Sequence, residues 1–178
     1  MEITRNKMPQ HAENFFNKLT KYLNTKIYFF GSIQRYDYFP ESSDIDADIF
    51  TDNEMTTISQ LQNFLGVKKY DFKKFVYKLH KTKKLVQGYK IEYKGENNFN
   101  TELSIYNEKF KDAVLEEHNS KKDLPFLVSF FLIILKFLYY KLGILPDSIY
   151  RMFKRFLINY CVEGKEVEYV ITDLPKQK

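Results

Sequence analysis

The feature that most constrains this chain is Asp44-Ile45-Asp46-Ala47-Asp48-Ile49, where acidic and aliphatic residues alternate. Side chains on a β-strand point to opposite faces in turn. Asp44, Asp46 and Asp48 then share one face, and Ile45, Ala47 and Ile49 the other. Like charges stacked along a strand repel one another and do not stabilise a fold. A divalent cation held between them turns that repulsion into binding. Just upstream, Lys26 to Phe30 reads as a shorter strand ending at Gly31-Ser32, and a polar loop with Pro40 separates the two.

The chain of 178 residues is enough for one domain, or one domain with an appended lobe, and for a real core. Hydrophobic residues at 44% and charged residues at 29% describe an ordered soluble protein. The net charge of +5 favours polyanionic partners only weakly. One cysteine, Cys161, excludes an intramolecular disulfide and a Cys-based zinc site and suits a reducing compartment. Met1 to Arg5 lacks an apolar signal core, so the expected location is cytoplasmic. The most apolar segment, Leu124 to Leu135, is interrupted by Lys136 well short of the ~20 residues that span a bilayer, so no membrane association is expected. His11, His80 and His118 have no metal-ligand spacing.

Apolar residues from Ala12 to Leu23 recur at three- and four-residue steps and predict a helix from about 9 to 24. Ser32 to Tyr36 predicts a short helix opening on Gly31. Asp52 or Asn53 is placed to cap a helix that stops at Gly66. Val67 to Lys84 fits both periods and is read as a strand. Leu85 to Lys94 and Thr101 to Tyr106 are strands separated by the turn Gly95 to Asn98. A helix from about 107 to 118 follows. Asp123 then caps a long apolar helix, with Pro125 in its first turn and Gly143 and Pro146 at its end. Asp147 caps a last amphipathic helix, Val167 to Ile171 adds a strand, and Pro175 to Lys178 form a loose tail. This order predicts an α+β fold, a mixed sheet flanked by helices: a core over 1–107 with a helical C-terminal lobe over 108–178 packed on it.

An apolar strand, Gly31-Ser32, eleven intervening residues and then Asp44-Ile45-Asp46 resemble the signature of the polymerase-β-like nucleotidyltransferase superfamily. Arg35-Tyr36-Asp37 ahead of Ser43-Asp44-Ile45-Asp46 is similar to the R-G-D…S-D-I-D form of its small bacterial and viral members, with Tyr36 where the glycine usually stands. The likeness covers roughly residues 10 to 107. It implies the nucleotidyltransferase fold, and transfer of a nucleoside monophosphate from an NTP such as ATP to a hydroxyl, with loss of pyrophosphate. It further implies two Mg²⁺ (or Mn²⁺) ions held by Asp44, Asp46 and a third carboxylate from a later strand. Glu102 fits best, because Leu103 and Ile105 take the core face of its strand. Glu92, flanked by Lys90 and Lys94, is the rival. The third acid is Glu rather than the commoner Asp, and Ala47 stands in place of a larger aliphatic residue. Asp48 reads as solvated or ion-paired. By the same resemblance Gly31 lets the triphosphate approach the backbone, and Ser32 binds a phosphate oxygen. Arg35 either screens the phosphates or pairs with Asp37 or Glu41. Lys136, on one stripe with Ser129 and Tyr140, is a candidate triphosphate ligand; the competing reading is a lysine snorkelling from an amphipathic helix.

Between 68 and 84 there are eight lysines interleaved with Tyr70, Phe72, Phe75 and Tyr77. Lys73, Lys74 and Lys78 are the candidates for a nucleic-acid backbone, with the aromatics for stacked bases. A solvated edge strand whose lysines deter aggregation is the competing reading. Arg151, Lys154 and Arg155 read as the solvent face of the last helix. The first expectation for the acceptor is an RNA or DNA end. A small-molecule hydroxyl, a hydroxyl on a protein partner, or a non-catalytic nucleic-acid-binding module on the same fold are the alternatives.

Overall fold

The computed structural model describes residues 2–40, 42–95, 99–162 and 169–173. Glu41, most of the 95–98 turn, Val167, the tail from Pro175 and the side chain of Cys161 lie outside the described residues. Six strands, β1 (Ile27–Phe30), β2 (Ile45–Thr51), β3 (Lys73–Lys78), β4 (Leu85–Lys94), β5 (Asn100–Asn107) and β6 (Tyr169–Asp173), form one sheet in the order β1-β2-β5-β4-β3-β6. β2 and β5 are parallel, and every other neighbouring pair is antiparallel. The sheet therefore draws strands from both sides of residue 107.

The two faces follow from the period-two alternation. Ile45, Ala47 and Ile49 of β2, with Leu103 and Ile105 of β5, are buried against α1 (Gln10–Leu23) and α2 (Glu54–Leu65). Phe16 and Leu19 of α1, and Ile58 and Leu61 of α2, are fully buried there. Asn53 caps α2 by accepting a hydrogen bond from the Thr56 N–H at 3.0 Å, and Gly66 ends it in the left-handed region at φ 67°. The opposite face carries a smaller cluster of Phe50, Phe75, Tyr77, Val86 and Tyr106 with Val114 of α3 (Lys111–Ser120).

Two expectations change. The segment 67–84 is not one strand: a single 3-10 turn over Lys69–Asp71 precedes β3. The long apolar helix α4 (Phe126–Tyr140) starts only after Pro125, whose φ of −50° and ψ of 145° sit outside the helix, so Asp123 is too far upstream to cap it. Asp123 pairs with Arg5 at 2.8 Å instead. Asp147 is the first residue of α5 (Asp147–Val162), and its carboxylate pairs forward with Arg151 at 2.8 Å.

α4 is fastened to the loop between β1 and β2 by a buried charge cluster. Arg35 grips Asp37 with two hydrogen bonds of 2.8 and 3.1 Å. The Lys136 ammonium donates to the Asp37 carbonyl at 2.7 Å and to the Ser43 hydroxyl at 3.3 Å, and pairs with the Asp37 carboxylate at 2.9 Å. Burial would raise the Asp37 carboxyl, but Arg35 and Lys136 outweigh it and hold the group down to about 2. Burial pulls Lys136 down to about 8 against the opposing pull of Asp37.

Replacing Asp37 by Ala strands two buried cations, and urea unfolding is expected to show a loss of about 3–5 kcal/mol. A folded-state value below that of the unfolded chain stabilises above the ordinary carboxylate range and fades as the pH falls toward 2. Wild type should therefore lose roughly 2 kcal/mol between pH 5 and pH 2 that the Asp37→Ala protein does not. Equal acid sensitivity of the two proteins would show that Asp37 does not carry this stabilisation.

Candidate active site

The chain's alternation and the parallel pairing of β2 with β5 put Asp46 directly opposite Glu102. Asp44, exposed, precedes β2 by one residue. Glu92 faces Glu102 from the next strand, β4. With neighbouring strands about 4.8 Å apart, Glu102 is one strand from Asp46 and Glu92 is two. Gly31, at φ 69°, closes over the same spot: a Cβ there would lie 2.1 Å from the Asp46 Oδ2. Any larger residue would displace the carboxylate, in addition to straining the backbone. Ser32 is buried in the single turn Gly31–Gln34 that follows.

Asp44, Asp46, Glu92 and Glu102 form one wall of a cleft of about 780 Å³. Arg151, Lys154 and Arg155 of α5 form part of the other wall, together with Tyr139, Tyr140 and Tyr150. Tyr139 and Tyr150 are stacked with centroids 4.1 Å apart. Asp46, half-buried at the cleft floor, has its carboxyl pushed up to about 7 by burial, then by Glu102, with Asp44 adding to the rise. Lys154 and Arg35 act in the opposite sense. The Glu102 carboxylate accepts from the Lys90 ammonium at 2.8 Å.

This set is oxygen-rich and short of positive charge, which suits a hard divalent cation. Among the described residues no group of three or more His, Cys, Asp or Glu side chains is drawn together tightly enough to hold a metal as it stands. The carboxylates repel one another, and Glu102 leans to Lys90. The rise in Asp46 caused by its acidic neighbours is the repulsion that such a cation would remove.

Other expected residues lie elsewhere. Asp48 is completely buried rather than solvated, and its Oδ2 is 2.8 Å from Nε2 of His118, a residue of α3 stacked on Phe30. Arg35 and Lys136 are closed into the Asp37 cluster and do not line the cleft. Strand alternation splits the lysine group. Lys73 is opposite Lys90 on the carboxylate face, whereas Lys74 and Lys78 are on the face that bears Ala47 and Leu103. The α5 cations were missed as site residues. Their signal was the spacing of 151, 154 and 155, which gathers three cations on one helix stripe.

No curated protein matches the sequence. Among solved structures, the chain is similar to the cyclic dinucleotide synthase CdnE of Elizabethkingia meningoseptica, solved with GTP and Apcpp. That likeness has 15% identity and a TM-score of 0.44, over 88% of this chain and 72% of the other. It is also similar to Cid1, a protein with RNA terminal uridylyl transferase activity. Here the identity is 13% and the TM-score 0.34, over 75% of this chain and 41% of that one. The nucleotidyltransferase domain family matches residues 11–124, which take in β1, Gly31-Ser32, the β2 aspartates and Glu102. On that match the chain belongs to the nucleotidyltransferase domain family.

Proposed function

We propose that this nucleotidyltransferase moves a nucleoside monophosphate from an NTP to a hydroxyl at a nucleic-acid end, in a Mg²⁺-dependent reaction at Asp44, Asp46 and Glu102. The observation that carries this reading is the in-register pair Asp46–Glu102 beneath Gly31, faced by the α5 cations across one cleft. Two divalent ions held by the three carboxylates would supply charge for the α-phosphate and for the attacking and leaving oxygens. Asp46 is at the centre of the set that would hold them. Gly31, lacking a Cβ, lets the Asp46 carboxylate sit against the backbone, and Ser32 follows it in the turn. Lys154, with Arg151 and Arg155, neutralises the β- and γ-phosphates and so the pyrophosphate that leaves. A Glu102 carboxylate oxygen receives the proton of the acceptor hydroxyl as its oxygen bonds to the α-phosphorus and the bond to pyrophosphate breaks. A single cysteine suits a cytoplasmic setting for this chemistry.

A second, smaller groove supports the nucleic-acid acceptor. It is lined by Tyr70, Lys73 and Lys90, and shares Glu92, Tyr93 and Lys94 with the main cleft. Lys73 is exposed directly opposite Lys90, whose ammonium is engaged by Glu102 at 2.8 Å, so Lys73 is the cation that an incoming anion would meet. A polyanion held there would present its end to Glu102.

The double variant Asp44→Ala/Asp46→Ala should lose labelled-NTP incorporation into a mixed pool of RNA, DNA and protein by ~10³-fold. Incorporation unaltered by the substitutions would overturn the enzymatic reading, and label appearing only in protein would reassign the acceptor. Lys154→Ala should raise the KM for NTP by about tenfold, in line with the loss of one charged contact. An unchanged KM removes α5 from the phosphate site. For the acceptor groove, Lys73→Ala should weaken single-stranded RNA binding and lower its salt slope by about one, while Lys78→Ala leaves both alone. Equal effects from the two lysines would contradict a groove on the carboxylate face.

A further inference from the structure

A helix that is apolar on every side is ordinarily buried on every side. α4 is not. Its only charged residue, Lys136, is turned inward with Val128, Leu132 and Leu135, and the outward side remains apolar. Phe126, Phe130, Ile133 and Phe137, at steps of four, three and four, are 80%, 47%, 36% and 46% exposed. That is the spacing of a seam that accepts another helix. Leu127, Phe131 and Ile134 repeat the spacing one position along and are exposed as well. On α5, Ile149, Met152 and Phe153 are also exposed.

At ~200 Å² per large side chain, α4 alone offers on the order of 700 Å² of uncovered apolar surface. The largest such patch on an ordinary monomer is about 300–600 Å², and each side of a stable protein interface contributes about 800 Å².

We propose that the α4 seam is the contact between two copies of this chain, related by a twofold axis. A twofold contact sets a patch against itself, so any charge on it meets its own like. The α4 seam carries none. The chain's net charge of +5 lies off this surface and is screened beyond about 8 Å at physiological salt. A lipid surface is a poorer occupant: the seam has no Lys or Arg for headgroups, and no helix among the described residues is long and apolar enough to cross a membrane. The cleft is lined instead by Arg151, Lys154 and Arg155 on the polar stripe of α5, so it stays open in the dimer.

Sedimentation velocity of the 178-residue chain from about 1 to 100 µM should give twice the chain mass, with reversible dissociation on dilution. The double variant Phe130→Glu/Phe137→Glu should sediment as a monomer at every concentration, with unchanged far-UV circular dichroism. If that variant does not fold, Phe130→Ala serves in its place, with dimer affinity at least tenfold weaker. A wild-type chain that stays monomeric at 100 µM overturns the proposal, as does a dimer that survives these substitutions. Open-ended high-mass species from wild type overturn the closed twofold contact. Wild type that stays monomeric and co-sediments with phosphatidylcholine/phosphatidylserine vesicles assigns the seam to lipid instead.

Discussion

The site depends on one register, Asp46 of β2 opposite Glu102 of β5. A shift of one residue would turn Glu102 into the core and bring Thr101 or Leu103 to the cleft. What prevents the shift lies on the other face of the sheet. Leu103 and Ile105 are fully buried beside Ala47 and Ile49, and the Thr101 hydroxyl donates to the Ile45 carbonyl at 2.7 Å. Burial of each large aliphatic side chain contributes about 1.5–3 kcal/mol. Hydrophobic pairing on one side of the strands thus enforces an electrostatically unfavourable pairing on the other.

The placement of the α5 cations depends on a second, polar constraint. Apolar packing is non-directional, and α4 is apolar along nearly its whole length, so its inward side alone does not distinguish one turn of the helix from the next. The Lys136 ammonium does, because it must reach the Asp37 carbonyl, the Asp37 carboxylate and Ser43 together. A buried ion pair of this kind adds little net stability but selects one docking geometry. With α4 fixed, the short connection to α5 and the stack of Tyr139 on Tyr150 carry Arg151, Lys154 and Arg155 to the carboxylate wall. The loop that begins at Gly31-Ser32 is therefore both part of the site and the anchor for the helix pair facing it.

What was legible in the sequence is what period and local chemistry determine. Alternation put Asp46 and Asp48 on one face and Glu102 on the face opposite Leu103 and Ile105, and the turn residues placed Gly31 and Gly66. Pairings distant in sequence were not legible. Lys136 on an apolar stripe looks the same whether it reaches water or a buried acid, and its partner is 99 residues away. Asp48 could be read only as solvated or ion-paired, since His118 arrives on a helix whose docking no local pattern encodes. The lysine segment is a different case. Once β3 begins at Lys73, odd and even positions must separate, so treating Lys73, Lys74 and Lys78 as one group overlooked the alternation already applied to β2.

Across the carboxylate face the sign of charge changes with position. Asp46, Glu102 and Glu92 occupy adjacent positions on β2, β5 and β4, and one step along β4 and across to β3 come Lys90 and Lys73. An anion is repelled by the first group and attracted by the second. The bare cleft is thus hostile to an anion at its centre and more receptive at its edges, near the α5 cations and Lys73. Positive charge delivered to the centre reverses that, joining two positively charged edges. By this logic the acids are set up to be neutralised by something other than the protein's own side chains. Lys90 already holds Glu102, yet Asp46 is still raised by its acidic neighbours.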